Sequence, residues 1–495
     1  MVSALNAGRR HARLPLELER DGKAPVQRQL TNKLKEAILE HKLMPGQLLP
    51  STRELAKMLG ISRATAVRIY EDLGAQGLIE TEEGTGTFVR RRPPARATSS
   101  APSDLPFSEL ARRLLRLQTR QVTDFDSPGL KFGCAPPECL PVAQWKQALA
   151  DCCRVYDPSL LDYGSDPFGY GPLREAICAY VSRSRMIDCP PESLVIMTSS
   201  TYPLTAVAEL LVDSGDSIVF PEPGSLFARE TFAWLGADLT AVAVDEQGMD
   251  VRQLTALRRP PKIVYVNSSH HDPTGAPLSM ERRQLLLDWV DRNDVIIIED
   301  DYDSEYRPAG SPLPPLRALT GRDNVIYISS FRRTLYPLVN VSYVIAPAQM
   351  VPALTGSWIM NADAFQTHFC FLDQLALTSL LNSGEYERHL RRTEAIYASR
   401  WRAMVHALSV SFGTAVSPAR ASSSSHLFVH LRLPINDAAI ADCARAAGLP
   451  LLSAGMHFAC EPPAGAFLLP ALDLPEEEIV ARVAAFKENV DDRIS

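Results

Sequence analysis

Around residue 63 the chain places basic and small polar side chains on one side of a helical pattern. Ala66, Ile69, Tyr70 and Leu73 recur as one apolar stripe, while Ala64, Thr65 and Arg68 fall opposite, with Arg63 in the first turn. Arg pairs with guanine edges or phosphates, and Thr and Ala meet a thymine methyl, so such a face suits a helix in a major groove. A second concentration of chemistry, His270-His271-Asp272, runs straight into Pro273-Thr274-Gly275. That context reads as a loop rather than a metal site. Nine cysteines at irregular spacings, Cys134 and Cys139 among them, form neither a disulfide framework nor a zinc site and read as idle thiols.

The elements that must present the basic face are legible around it. A first helix is expected from about Val26 to His41, carrying Leu30, Leu34, Ala37 and Ile38. Ser51 followed by Glu54 is a capping box opening a second helix, with Leu55 and Leu59 inward and Gly60 as its break. Ser62 caps the third. Gly77-Leu78-Ile79-Glu80 and Thr87-Phe88-Val89 then flank a turn at Gly84 and Gly86, the pattern of a two-stranded wing.

With 495 residues, 46% apolar and 22% charged, the chain should form two or three cooperating units with a sizeable core. No apolar run is long enough for a bilayer, and Met1 to Arg13 has no apolar signal region, so no membrane partner and a reducing cytoplasm are expected. The formal charge of −7 is uneven: residues 1–92 hold 16 Lys+Arg against 11 Asp+Glu, the remainder 35 against 47. A basic head on an acidic body is what a polyanion-binding module joined to a separate domain gives. Between them lies a stretch rich in Pro, Ser and Ala, so the expected units are a head at 14–90, a linker at 91–107 and a body at 108–495. In the body, Leu194–Met197, Ser217–Phe220, Lys262–Asn267, Val295–Glu299 and Val325–Ser329 alternate with amphipathic stretches, predicting a mostly parallel sheet covered on both faces.

From Pro25 to Val89 the sequence resembles the GntR family of winged helix-turn-helix regulators, on the phrases PGQLLPSTRELAKMLGISRATAVRIYEDLGAQGLIE and GTGTFV. The resemblance implies that Arg53, Ser62, Arg63, Thr65 and Arg68 contact double-stranded DNA, with the wing around Gly84 and Gly86 near the minor groove. Roughly residues 125–490 resemble fold-type I aminotransferases, as fused behind such heads in MocR-type regulators. The supporting phrases are Tyr163 to Arg174 (YGSDPFGYGPLR), Pro273-Thr274-Gly275, Glu299 to Glu305 (EDDYDSE) and the stretch from Gly384 to Arg400. The implied fold is an α/β aminotransferase-like domain with a smaller C-terminal subdomain, built as a homodimer.

Such domains use pyridoxal phosphate, whose chemistry needs a Lys amine for the imine, a carboxylate for the pyridine nitrogen, and cationic and backbone groups for the phosphate. By resemblance Asp300 is the nitrogen's partner, and Tyr302, with Ser269 in reach, contacts the ring oxygen. Arg333 stands where the family has its Lys, and a guanidinium supplies no neutral amine. The phosphate-binding Arg is replaced by Asn340, and the glycine of the phosphate cup by Ser200, beside Thr201 and Tyr202. Ser225 stands where an aromatic is frequent, and the segment Gly465 to Pro470 lacks the usual carboxylate-binding Arg. After residue 92 only Lys131, Lys146, Lys262 and Lys487 remain. The expectation is therefore a DNA-binding regulator whose body is catalytically inactive, binds no covalent pyridoxal phosphate, and senses a small effector or weakly held noncovalent cofactor. The competing expectation is a regulator or aminotransferase-class enzyme that keeps the cofactor noncovalently or through another lysine.

Overall fold

The computed structural model describes residues 26–40, 42–82, 85–90, 108–121, 135–154, 168–305, 313–361, 371–418, 426–470 and 474–495. His41, Gly84, Lys131, Cys134 and the expected linker at 91–107 lie outside them. The chain divides into two compact units, Met1–Leu105 and Pro106–Ser495.

In the first unit, α1 (Val26–Leu39), α2 (Thr52–Leu59) and α3 (Arg63–Ala75) enclose Leu30, Leu34, Leu55, Ala66, Ile69 and Leu73. The α2 start is the expected capping box. The Glu54 amide donates to Ser51 Oγ at 3.3 Å, and the Ser51 amide to a Glu54 carboxylate oxygen at 2.8 Å, satisfying two amides that the first turn leaves without carbonyl partners. Gly60 ends α2 in the left-handed region, φ 65°. Tyr70, on the buried face of α3, donates to the Pro50 carbonyl at 2.7 Å and so ties α3 to the α2 entry. The wing is the antiparallel pair β1 (Ile79–Glu82) and β2 (Gly86–Val89), with Ile79 opposite Val89 and a bridge from Phe88 to Leu48.

The second unit is built on an eight-stranded sheet. In chain order its strands are β3 (Leu194–Thr198), β4 (Ser217–Glu222), β5 (Asp238–Asp245), β6 (Gly248–Met249), β7 (Ile263–Val266), β8 (Ile296–Asp300), β9 (Val325–Ser330) and β10 (Val341–Ile345). Their spatial order is β3-β10-β9-β8-β7-β4-β5-β6. All five segments expected as strands are strands. β5, β7, β8 and β9 join β4 in the parallel part, but β10 runs antiparallel to both neighbours, so the sheet is mixed. β7, β9 and β10 are buried along their whole length, because apolar cores lie on both faces. A smaller antiparallel sheet, β11 (Val416–Pro418), β12 (Leu427–Leu431), β13 (Leu452–Ser453) and β14 (Ala466–Leu469), shares a core with helices Glu385–Phe412, Asp437–Ala446 and Glu476–Ile494.

Ser51→Ala should cost about 1 kcal/mol of local stability, the usual effect of deleting an N-cap hydroxyl. In the full-length protein this is expected as faster amide hydrogen exchange at the start of α2. Unchanged exchange there would show that the cap does not hold the helix.

Candidate functional site

Two sets of residues stand apart chemically, one in each unit. In the head, Arg53, Arg63 and Arg68 are exposed, and no ion pair engages any of them among the described residues. Three solvated guanidiniums on α2 and α3 keep their donors available for an outside anion. Ser62 is the N-cap of α3: its Oγ accepts from the Thr65 amide at 3.1 Å and lies 2.8 Å from Thr65 Oγ1. Those two hydroxyls thus position the helix start. Gly86 has φ 127°, and a Cβ there would lie 2.8 Å from Leu48 Cδ1, so the wing needs glycine for its own packing.

In the body, the loops following β3, β4, β7, β8 and β9 hold the second set, on the carboxyl side of the parallel strands where open α/β sheets place ligands. Asp300 closes β8. One of its carboxylate oxygens accepts from Tyr265 Oη at 2.7 Å, while Asn267 Nδ2 donates to its carbonyl at 2.8 Å. Burial, only partly offset by the Tyr265 hydrogen bond, pushes the Asp300 carboxyl up to about 7. Behind this loop Arg185 approaches Glu305 at 2.8 Å and Asp301 at 3.5 Å, and Tyr180 and Tyr327 donate to the same two carboxylates. The loop from Asp300 to Glu305 is thereby anchored from inside.

Arg333 projects from the short helix Arg332–Leu335 after β9, and its Nη2 donates to Asp303 Oδ2 at 2.9 Å. Both side chains are buried. Burial disfavours the Arg333 charge, yet Asp303 beside it raises the guanidinium well above its ordinary value. Its Cζ sits 5.5 Å from the centroid of the Tyr302 ring, and the His270 ring stands 6.2 Å from that centroid, edge-on. His389 Nε2 lies 3.1 Å from the Thr334 carbonyl, and Thr334 Oγ1 3.0 Å from Tyr386 Oη, so helix Glu385–Phe412 braces the Arg333 turn.

Histidines complete the set. Burial lowers His270, and it lowers His271 to about 3 and His426 to about 4. His426 Nε2 lies 3.1 Å from the Pro273 carbonyl, and His457 Nδ1 lies 3.1 Å from the Gly224 carbonyl. Asp272 accepts from the hydroxyl of Ser225, the residue at the position where the family resemblance puts an aromatic. At the far end, the Asn340 carbonyl accepts from the Ser199 amide at 3.1 Å, and the Ser199 and Thr201 hydroxyls lie 3.1 Å apart. Thr201 is exposed, and Ser200 and Tyr202 are half-buried beside it, at the start of helix Tyr202–Leu211.

Of the expected residues, Ser269, Asp300, Tyr302 and Arg333 come together with the histidine loop, while Ser200, Thr201, Tyr202 and Asn340 form the separate end by β3 and β10. Tyr265, Asp303, His426 and His457 join the site without having been expected from sequence. Tyr265 carried a readable signal, two residues before Asn267 on a strand beside β8. The described lysines of the body, Lys146, Lys262 and Lys487, are engaged or exposed elsewhere. Lys146 is exposed, Lys262 bonds Asp216 at 2.6 Å, and Lys487 bonds Asp491 at the surface. These side chains match pyridoxal phosphate at one end only: Asp300 and Tyr265 suit a ring nitrogen. The Arg333 guanidinium does not suit an aldehyde, and the Asn340 amide brings no positive charge to a phosphate dianion.

Comparison with known proteins places both units. Residues 26–89 match the family profile of bacterial regulatory proteins of the gntR family, and residues 130–431 match that of aminotransferase class I and II. The chain is 32% identical to the probable rhizopine catabolism regulatory protein MocR of Rhizobium meliloti, over 79% of this chain and 78% of that one. It is 28% identical to the uncharacterized HTH-type transcriptional regulator YhdI of Bacillus subtilis, over 93% and 95%. Its fold is similar to that of the α-aminoadipate aminotransferase LysN from Thermus thermophilus, with a TM-score of 0.68, 24% identity, and 78% and 98% coverage. The chain belongs to the MocR-type transcriptional regulators, a gntR-family DNA-binding head joined to an aminotransferase class I and II body.

Proposed function

We propose that this regulator reads DNA with Arg53, Arg63 and Arg68 and uses its aminotransferase-like body as an imine-free sensor rather than as a transaminase. The body, residues 108–495, forms a homodimer, and the linker at 91–107 lets two heads, each within 14–90, engage paired half-sites in the cytoplasm. The wing at Gly84 and Gly86 lies along the minor groove. The observation that carries the sensor reading is the buried Arg333–Asp303 pair, 2.9 Å apart, at the end of β9. A guanidinium stays protonated and offers no lone pair for attack on an aldehyde, and the ion pair locks it in that state. The effector is therefore held by hydrogen bonds and charge, and it stabilises the body it binds.

Replacing Arg63 or Arg68 with Ala should weaken specific DNA binding by about 1–3 kcal/mol for each base edge that the variant no longer reads. Fluorescence anisotropy on the operator, alongside a folding control, measures this. Unaltered affinity in both variants would remove α3 from the groove.

A fragment of residues 1–92 should bind a two-half-site DNA more weakly than the full chain, because the dimeric body raises the effective concentration of the second head. Equal affinity would mean that the body does not link the heads.

Borohydride treatment with excess pyridoxal phosphate should leave no stoichiometric adduct in the mass spectrum. Arg333→Lys alone should not create a transaminase, since Asn340 and the segment Gly465 to Pro470 still lack guanidiniums for phosphate and substrate carboxylate. An adduct mapped to Lys131, Lys146, Lys262 or Lys487 would overturn the imine-free reading.

A further inference from the structure

Asp300 is a half-buried carboxylate that no ion pair balances among the described residues. Its hydrogen-bond donor is the neutral Tyr265, and the charged groups bearing on it are the carboxylates of Asp272 and Asp301. Arg333, in the turn after the neighbouring strand, is committed to Asp303. Around the Tyr302 ring several polar atoms are buried with no hydrogen-bond partner among the described residues: Tyr302 Oη, Arg333 Nε, Asp303 Oδ1 and His270 Nε2. Three of their residues are well enclosed, Arg333 6%, Asp303 2% and His270 8% exposed. Orphaned buried donors and acceptors each cost about 1–3 kcal/mol, so four around one ring call for a partner supplied from outside.

The other end of the cleft is built differently. The Asn340 side chain is a neutral amide whose buried oxygen has no partner among the described residues, so it brings no positive charge to an oxyanion. The Ser199 and Thr201 hydroxyls bond each other, the Thr201 amide donates to Ser199 Oγ at 3.3 Å, and Pro203 has no N–H to offer. Much of what a phosphate would use is internally satisfied, missing or uncharged.

We propose that the cleft binds a small, positively charged nitrogen compound that lacks a phosphate group, its protonated nitrogen donating to Asp300. The proposal rests on the imine-free reading of Arg333, but it concerns a different property, namely the sign of the charge that each end accepts. Tyr302 Oη, Asp303 Oδ1 and His270 Nε2 then take the ligand's remaining polar hydrogens and acceptors, and Arg333 Nε finds its acceptor on the same molecule.

The test compares pyridoxamine with pyridoxamine 5′-phosphate on the full-length protein by isothermal titration calorimetry. Both carry the same ring nitrogen and an amine, and neither forms an imine with a lysine. The outcome is thus independent of the borohydride experiment. Pyridoxamine is expected to bind at least about tenfold more tightly than its phosphate ester, a difference of about 1.4 kcal/mol. Asp300→Asn should lower pyridoxamine affinity by a similar factor. Asn340→Arg, which adds a guanidinium rather than removing a buried group, should shift the preference toward the ester. Tighter binding of the ester to the native chain, no binding of either compound, or a preference unmoved by Asn340→Arg in folded protein would each overturn the proposal.

Discussion

A guanidinium buried beside a β-sheet cannot shed its proton, so its charge must be met where it stands. Arg333 is met by Asp303 at 2.9 Å, and that one ion pair links the turn after β9 to the loop after β8. Pairs of this kind contribute little net stability, because desolvation consumes most of the attraction. Removing a single partner, however, strands the other charge and typically costs about 3–5 kcal/mol. Asp303 is consequently a structural counterion to Arg333, and the pair ties the two loops together. At this turn the chain presents a guanidinium, which stays cationic and offers no amine lone pair.

The rest of the cleft is organised to keep that loop in place. Arg185 pairs with Glu305 and Asp301 from beneath, both carboxylates taking Tyr hydroxyls as well. One strand position earlier, Glu299 points to the opposite side of the sheet. It accepts from Ser268 and from the Leu316 and Arg317 amides, and the fully buried Arg283 donates to the Ser268 and Leu278 carbonyls. The alternation of side chains along β8 thus puts Asp300 toward the cleft and Glu299 into a clamp on the loop after β7. Two adjacent carboxylates end in different roles because of a period of two.

Much of this is legible in the sequence for local reasons. The Ser51/Glu54 capping box, the Ser62 cap, the Gly60 stop and the apolar stripe through Ala66, Ile69, Tyr70 and Leu73 are signals within a few residues of one another, and each is in the structure. The five expected strands are uninterrupted apolar runs. What escapes is non-local. β10 reads as a buried strand in either direction, and its antiparallel course depends on the short connection from β9 through Arg332–Leu335. His426 and His457 lie on the small sheet's side, more than a hundred residues beyond the Pro-Thr-Gly loop, and nothing in their own neighbourhoods marks them. Asp303 is visible in the motif, but its partner is not, because an ion pair across two loops leaves no spacing to read.

The bonds between the two parts of the body pass through the same loops that carry the candidate site. His426 meets the Pro273 carbonyl and His457 the Gly224 carbonyl, while Glu222 accepts from the Ala459 and Cys460 amides. Arg229 adds a 2.6 Å hydrogen bond to the Met456 carbonyl. Each has one end at or just beyond β4 or β7 and the other on the small sheet's side. A molecule seated between Asp300 and Tyr302 would lie beside these bonds between the small sheet's side and the large sheet. It would favour one arrangement of the two parts over another only by the difference in its affinity for them, and by linkage the arrangement would set its affinity to the same degree. Such coupling needs no catalysis. It needs contacts that differ between the arrangements, and the enclosed atoms around Tyr302 that lack partners among the described residues are where a bound molecule would make them.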